Sequence, residues 1–371
     1  MKQIVVIGAG KIGATIADNL ARTGDYQVTL ADREAPAAGT GATTPGIARV
    51  VLDVADRAAT VALLQGKFAV LSAAPFHLTT AIAEAAAEAK VHYLDLTEDV
   101  ASTRRVKQLA EGAETAFIPQ CGLAPGAVSI IAADIAAKFD RLDSVKLRVG
   151  ALPRFPANAL GYSLTWSTDG VINEYCEPCE AIVDGALRQV PPLEEREEFT
   201  FDGVAYEAFN TSGGLGTLCE TYAGQVRELN YRTIRYPGHA AVMKLLLRDL
   251  RLSERRGVLK DILEGALPST LQDVVVVIVT VSGHRNGRLV QESYANRIAG
   301  DGRLSAIQLT TAAGICAVLD LLAAGELPGK GFVRQEDVDL EAFFANRFGR
   351  VYAPAGWVAR DDAPALPIAA E

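Results

Sequence analysis

Surplus positive charge, a long apolar run and a cysteine framework are all missing from this chain. Its 36 basic and 45 acidic side chains leave a formal charge of -9. A nucleic-acid binder would carry a basic surplus or stripe, so no nucleic-acid partner is expected. The longest apolar run, Val274 to Val281, is interrupted by Thr280. It falls far short of the roughly 20 residues that cross a bilayer, so no membrane partner is expected either. The first apolar stretch ends at Gly8, too early for a secretory leader. The 5 cysteines have no framework spacing, which predicts reduced thiols and a cytoplasmic setting. Cys176 and Cys179 form a lone Cys-x-x-Cys without the second ligand pair that a zinc site needs, so no metal is expected.

What is present is ordinary globular composition, 49% hydrophobic and 22% charged over 371 residues. That length predicts two domains. The first third alternates apolar runs with alanine-rich helical patterns. Strands are predicted at Gln3–Ile7, Gln27–Ala31, Ala48–Leu52, Phe68–Ser72, His92–Leu96 and Ala116–Pro119. Helical patterns between them argue for a parallel sheet covered on both faces, a doubly wound Rossmann unit over residues 1–122. Residues 123–302 read as a second α+β domain with a mixed sheet. Within it the acidic run Glu194–Glu198 reads as a solvated turn flank, and Asp273–Ser282 pairs with Leu289–Arg297 as a hairpin. Residues 303–350 hold a long apolar helix, Ile307–Ala324, expected to pack back on the first domain. Residues 351–371 read as a tail, frayed from residue 360.

Gly8, Gly10 and Gly13 form Gly-x-Gly-x-x-Gly between a strand and a helix, with Lys11 and Ile12 inside the motif and Asp32 ending the second strand. In that context the motif predicts a dinucleotide site. Gly8 permits the turn, Gly10 the approach of the pyrophosphate, and Gly13 close packing of helix on strand. A carboxylate at Asp32 suits the ribose hydroxyls and repels a 2′-phosphate, which predicts NAD over NADP, although Arg33 could attract that phosphate. Asp53 and Val54 follow the third strand towards the adenine. Ser72, Ala73 and Ala74 let the nicotinamide half pass close to the backbone. Leu96, Gly122 and Pro125 follow the fifth and sixth strands at the same end of the sheet.

Further motifs carry a resemblance. Ser72-Ala73-Ala74-Pro75, Tyr93-Leu94-Asp95-Leu96, Gln120-Cys121-Gly122 and Pro125-Gly126 resemble the saccharopine dehydrogenase-like family. Leu164-Thr165-Trp166-Ser167, Asn210 to Leu215 and Tyr231 to His239 extend the likeness, and are most similar to its branch of bacterial L-lysine 6-dehydrogenases. The resemblance runs from Met1 to about Arg350 and is weakest over Glu34–Gly46. It implies oxidative deamination of the ε-amine of L-lysine by NAD, giving allysine, which cyclises to piperideine-6-carboxylate, with release of ammonia. It also implies a homodimer joined largely through the second domain's sheet. The alternatives are a saccharopine dehydrogenase, a carboxynorspermidine-type polyamine enzyme, and a non-enzymatic NAD-binding sensor.

Such chemistry needs a base for the reacting amine, a guanidinium for the α-carboxylate and a carboxylate for the α-ammonium. Arg232 is the first candidate for the clamp and Arg235 the second, both on a predicted loop before a helix. His239, at that helix start, is the first candidate for general acid/base, with His77 as the other. Asp99 and Glu98 could hold either amine, one of them serving as a helix cap. Trp166 offers a flat wall for an aliphatic chain or a cationic amine, or packs in the core, and Phe76, after the fourth strand, is a further substrate-binding candidate. Thr211, with Gly213 and Gly214, reads as a closing loop or a tight turn. Cys121 borders the predicted crevice, with no partner that would make it a nucleophile.

Overall fold

The computed structural model describes residues 1–34 and 44–359. Part of the predicted tail, residues 360–371, and part of the weakly matching segment after Glu34 lie outside the described residues.

The first domain carries β1 (Lys2–Ile7), α1 (Lys11–Arg22), β2 (Tyr26–Asp32), β3 (Ala48–Val51), α2 (Arg57–Leu64), β4 (Ala69–Ser72), α3 (Thr79–Ala89), β5 (His92–Asp95), α4 (Val100–Ala110) and β6 (Ala116–Ile118). Every predicted strand of this third is present. Val5, Val6, Val70 and Leu71 are fully buried, as expected where helices cover both faces of a parallel sheet.

The second domain opens with α5 (Ala127–Ala136) and the long strand β7 (Arg141–Pro153). Next come α6 (Thr168–Cys176), β8 (Cys179–Val183), β9 (Ala186–Val190), β10 (Glu197–Phe201) and β11 (Val204–Asn210). After these lie α7 (Leu218–Thr221), β12 (Val226–Arg235), α8 (His239–Lys244), α9 (Arg256–Ala266), β13 (Asp273–Arg285) and β14 (Arg288–Ala299). Its mixed sheet is 8-stranded and runs β10-β11-β12-β7-β13-β14, with β8 and β9 attached beside β12. The predicted hairpin forms, closing on Asn286 and Gly287 with φ 51 and 72. That left-handed pair suits a tight hairpin turn.

Residues 168–176 form α6, whose N-cap Ser167 accepts from Gly170 N–H. Residues 231–235, read as loop, end strand β12, held parallel to β7 and antiparallel to β11. The acidic run flanks a turn and stays partly exposed, as expected, and two of its carboxylates are also paired: Glu194 with Lys244 and Arg248, and Glu197 with Arg148 and Arg232.

The chain then returns to the first domain through α10 (Ala306–Ala324), β15 (Gly331–Phe332) and α11 (Leu340–Ala345). β15 joins β6 in parallel and completes a 7-stranded sheet ordered β15-β6-β5-β4-β1-β2-β3. α10 is long and apolar enough to span a bilayer, but most of it is buried in the protein, packed on α1 and β13. Ser305 and Gln308 cap it reciprocally, and the Asp273 carboxylate accepts from Ala306 and Ile307 N–H at 2.5 and 3.2 Å. Tyr352, inside the region read as tail, is fully buried and donates to Thr310 O.

Candidate active site

Two adjoining cavities lie at the carboxyl ends of β1, β2, β4 and β5, where ligands of doubly wound sheets sit. The larger, about 940 Å³, is walled by Gly8, Gly10, Lys11, Ile12, Gly13, Asp32, Arg33, Asp53, Val54, Ala73, Ala74 and His77. Its opposite wall comes from the second domain and includes Trp166, Asp169 and Lys260. The last two pair at 2.6 Å.

The glycine loop fits a dinucleotide. A Cβ on Gly13 would lie 1.8 Å from Gly8 O, and one on Gly8 2.6 Å from Ala73 O. Both are forced by packing of loop, α1 and β4. Gly10 is different, since a Cβ there meets nothing within 4 Å and projects into free space beside the cavity. Packing therefore does not require glycine here, and its missing side chain leaves the backbone open to a ligand. Gly10 caps α1 without a side-chain hydrogen bond, and the first-turn N–H groups of such a helix start are donors for phosphate. Asp32 accepts from Ala9 N–H at 2.6 Å, which anchors its carboxylate beside the loop.

The smaller cavity, about 190 Å³, joins the first at Ala73, Ala74 and Trp166. Ser72, Leu96, Gly122 and Pro125 line it, so every predicted cofactor residue borders one cavity or the other. Ser72 Oγ is buried without a hydrogen-bond partner. The remaining wall includes Phe76, Glu98, Trp166, Glu174, Tyr231, Thr233 and Arg235.

Arg235 is the one basic side chain among the described residues lining this cavity. It is 3% exposed. Its Nε donates to Tyr175 Oη at 2.9 Å, its Nη1 donates to Ile234 O, and its guanidinium lies 4.9 Å from the Tyr162 ring centre. A guanidinium so held is planar, oriented and permanently charged. Glu98 and Glu174 are the acidic residues of the same wall. Burial pushes Glu98 up to about 7, with the charges of Asp99 and Asp95 adding to the effect. Burial also pushes Glu174 well above the carboxylate range, and the neighbouring Glu98 adds while Arg235 opposes. Both carboxyls are short of positive charge.

Small residues hold this wall together. A Cβ on Gly170 of α6 would meet the Trp166 ring at 2.4 Å and Glu98 Oε1 at 3.1 Å. Gly213, at φ 83, lets its loop touch the Glu98 backbone, and Gly214 lies against the Tyr231 ring. Of the two readings of these glycines the tight turn is present, with Gly216 N–H donating to Gly213 O at 3.0 Å.

Several predicted residues fall elsewhere. Arg232 points to the other face of the second sheet, where it binds Glu195 and Glu197 at 2.8 and 2.7 Å. In a strand, neighbours three apart face opposite ways, so Arg232 and Arg235 cannot share a site. His239 is fully enclosed rather than in the cleft: Nδ1 lies 2.9 Å from Leu160 O and Nε2 3.0 Å from Tyr175 Oη. Burial and the Arg235 charge push its imidazole down to about 3, so it stays neutral and is no proton shuttle near pH 7. Asp99 is the helix cap of the acidic pair, accepting from Ser102 N–H at 2.7 Å to start α4. Thr211 bonds Thr233 Oγ1 within the wall. Cys121 is buried behind the crevice, donating to Ile118 O and accepting from Gln335.

Glu174, Tyr175 and Tyr231 were missed. Ser167, a good N-cap ahead of the helical spacing of Val171, Ile172 and Tyr175, was the signal for α6. The alternation Tyr231, Thr233, Arg235 was the signal for a strand face.

Comparison with known proteins agrees with this architecture. Residues 4–117 match the family model of the saccharopine dehydrogenase NADP binding domain, and residues 122–350 that of the saccharopine dehydrogenase C-terminal domain. The chain is 23% identical over 270 residues to saccharopine dehydrogenase (NADP(+), L-glutamate-forming) of Saccharomyces cerevisiae, covering 70% of this chain and 59% of that protein. It is 21% identical over 318 residues to mitochondrial alpha-aminoadipic semialdehyde synthase of Mus musculus, covering 81% of this chain and 34% of that protein. Apo saccharopine dehydrogenase (L-Glu forming) of Saccharomyces cerevisiae shares its fold with a TM-score of 0.71 at 17% identity, over 91% of this chain and 94% of that one. Homospermidine synthase of Legionella pneumophila, in complex with NAD, does so with a TM-score of 0.66 at 14% identity, over 95% of this chain and 89% of that one.

Proposed function

The chain belongs to the saccharopine dehydrogenase family, and from that premise we propose that it oxidatively deaminates the ε-amine of L-lysine with NAD. The observation that carries this reading is the charge inventory of the smaller cavity: one guanidinium, Arg235, and two carboxyls, Glu98 and Glu174. L-Lysine is the complement, with one carboxylate and two amines. Saccharopine carries further carboxylates and would call for further guanidinium groups.

When bound, the dinucleotide accepts the hydride that leaves C6. The protein does the rest. Arg235 holds the α-carboxylate, Glu174 the α-ammonium, and Phe76 and Trp166 flank the methylenes. Glu98 takes a proton from the ε-ammonium, because only a neutral amine releases hydride from C6. A general base with a pKa near neutrality suits that step. Water then adds to the substrate imine carbon, and Glu98 returns a proton to the departing ammonia. L-Lysine with its ε-ammonium, NAD+ and water thus give allysine, NADH, ammonium and one proton, which passes from the added water to solvent.

NAD is preferred here because a carboxylate at Asp32 suits ribose hydroxyls and would repel a 2′-phosphate, while Arg33 is the residue that argues for NADP. A homodimer in the cytoplasm belongs to the same reading, and light scattering of the purified protein tests the dimer. The first experiment is NADH formation from NAD and L-lysine, scored against saccharopine and NADP. Lysine-dependent NADH with one ammonia per turnover supports the reading. Turnover of saccharopine instead would replace the substrate. Tight NAD binding without turnover of either would favour the polyamine or sensor alternatives.

A further inference from the structure

His239 lines neither cavity, yet it is wired to Arg235, the guanidinium of the smaller one. The wiring has a direction. Leu160 O can only accept, so the proton on His239 sits on Nδ1, 2.9 Å away. Nε2 of the neutral ring is then a bare acceptor, and Tyr175 Oη, 3.0 Å away, must donate to it. With its own proton committed, the Tyr175 oxygen presents lone pairs to Arg235 Nε at 2.9 Å. Donation therefore runs one way, from Arg235 to Tyr175 to His239 to the Leu160 backbone.

The surroundings hold this direction. His239 lies edge-on to Tyr162 and Tyr175 and stacked on Phe209, with ring centres 5.5, 5.8 and 6.1 Å away. Glu207, fully buried, accepts from Gly238 and Ala240 N–H at 3.0 and 2.7 Å and so clamps the start of α8 on either side of His239. A protonated ring would donate from Nε2, displace the tyrosine proton and set it against Arg235 Nε–H.

We propose that His239 is a positioning residue: by fixing which way the Tyr175 hydroxyl points, it aims Arg235 at a substrate carboxylate and so makes the site selective for amino acids over plain amines. The proposal rests on the reading of Arg235 as the carboxylate clamp. The imidazole exchanges no proton with substrate.

The test uses the full-length protein loaded with NADH, which binds ligand without turnover, and compares affinity for L-lysine with that for 1,5-diaminopentane, the same chain without the carboxylate. His239→Leu is expected to weaken L-lysine about ten-fold and leave the diamine within about two-fold. Tyr175→Phe should do the same. His239→Gln, which can put an acceptor near the Nε2 position, should recover most of the loss, and it serves if the leucine variant does not fold. Equal weakening of both ligands would reduce His239 to core packing and overturn the proposal. A collapse of turnover by about two orders of magnitude at unchanged KM, with loss of a limb in the pH profile, would also overturn it, because His239 would then be a base. Arg235→Met is the control. If it separates the two ligands and the His239 variants do not, the relay alone fails. If Arg235→Met does not separate them, the clamp reading fails and takes the proposal with it.

Discussion

At the scale of single residues, the site turns on which way side chains point. Arg232 and Arg235 are equivalent in composition and three residues apart, but only Arg235 reaches the cavity. Arg235→Met should raise KM for L-lysine about ten- to hundred-fold, the loss of a charged hydrogen-bonded contact, while Arg232→Met should leave KM nearly unchanged. Steady-state kinetics on the two variants checks this. Glu98 sets two pH dependences of opposite sign. As a base it must be ionised, so kcat/KM should rise with pH through about 7. For stability, the folded protein binds the Glu98 proton more tightly than the unfolded chain does. Its contribution is therefore full below the ordinary carboxylate range and is lost as pH rises through about 7. Melting temperature without ligand should fall over that window, and Glu98→Gln should flatten the fall and abolish turnover. Glu98 was legible as a polar residue at a strand end. Its elevated pKa was not, because that comes first from burial, and part of the burying wall, α6 at Gly170, is contributed by the other domain.

At the scale of elements, β1, α1 and their glycine loop were legible because local geometry alone requires them. The three glycines still separate by role. Gly13→Ala must push apart α1 and the loop, so it should lower the melting temperature of the protein itself. Gly10→Ala meets no protein atom, so it should leave melting unchanged and weaken only the dinucleotide. Thermal melts with and without NAD distinguish the two. α6 and β12 were not legible to the same degree. β12 is polar at six of its ten positions without a clean alternation along its length, and its strand character comes from pairing with β7 and β11, partners remote in sequence. The segment before His239 reads as a loop only as long as those partners are unknown.

At the scale of the whole molecule, the expected return of the apolar helix to the first domain is found, but its depth was not foreseen. Apolar all round, α10 is a core element shared by both domains, as a helix without a polar face must be. A Cβ on Gly314 would lie 2.6 Å from Cys121 O, so the helix backbone presses on the turn beside the active site. The junction is carried by Asp273. Asp273→Ala would strip acceptors from two buried N–H groups at the α10 start and should cost about 1–3 kcal/mol, read from urea unfolding. β15 was missed because a two-residue strand has no period to read.

That return also orders events during synthesis. The six strands of the first domain leave the ribosome before the second domain, while α10, which covers α1, and the edge strand β15 follow it. At about 5–20 residues per second, the uncovered face of α1 waits for tens of seconds. A nascent chain stalled before Ala306 should thus remain a client of chaperones, and the nucleotide site, though lined mostly by residues of the first domain, should become competent only once the segment from Ala306 to Phe332 has emerged.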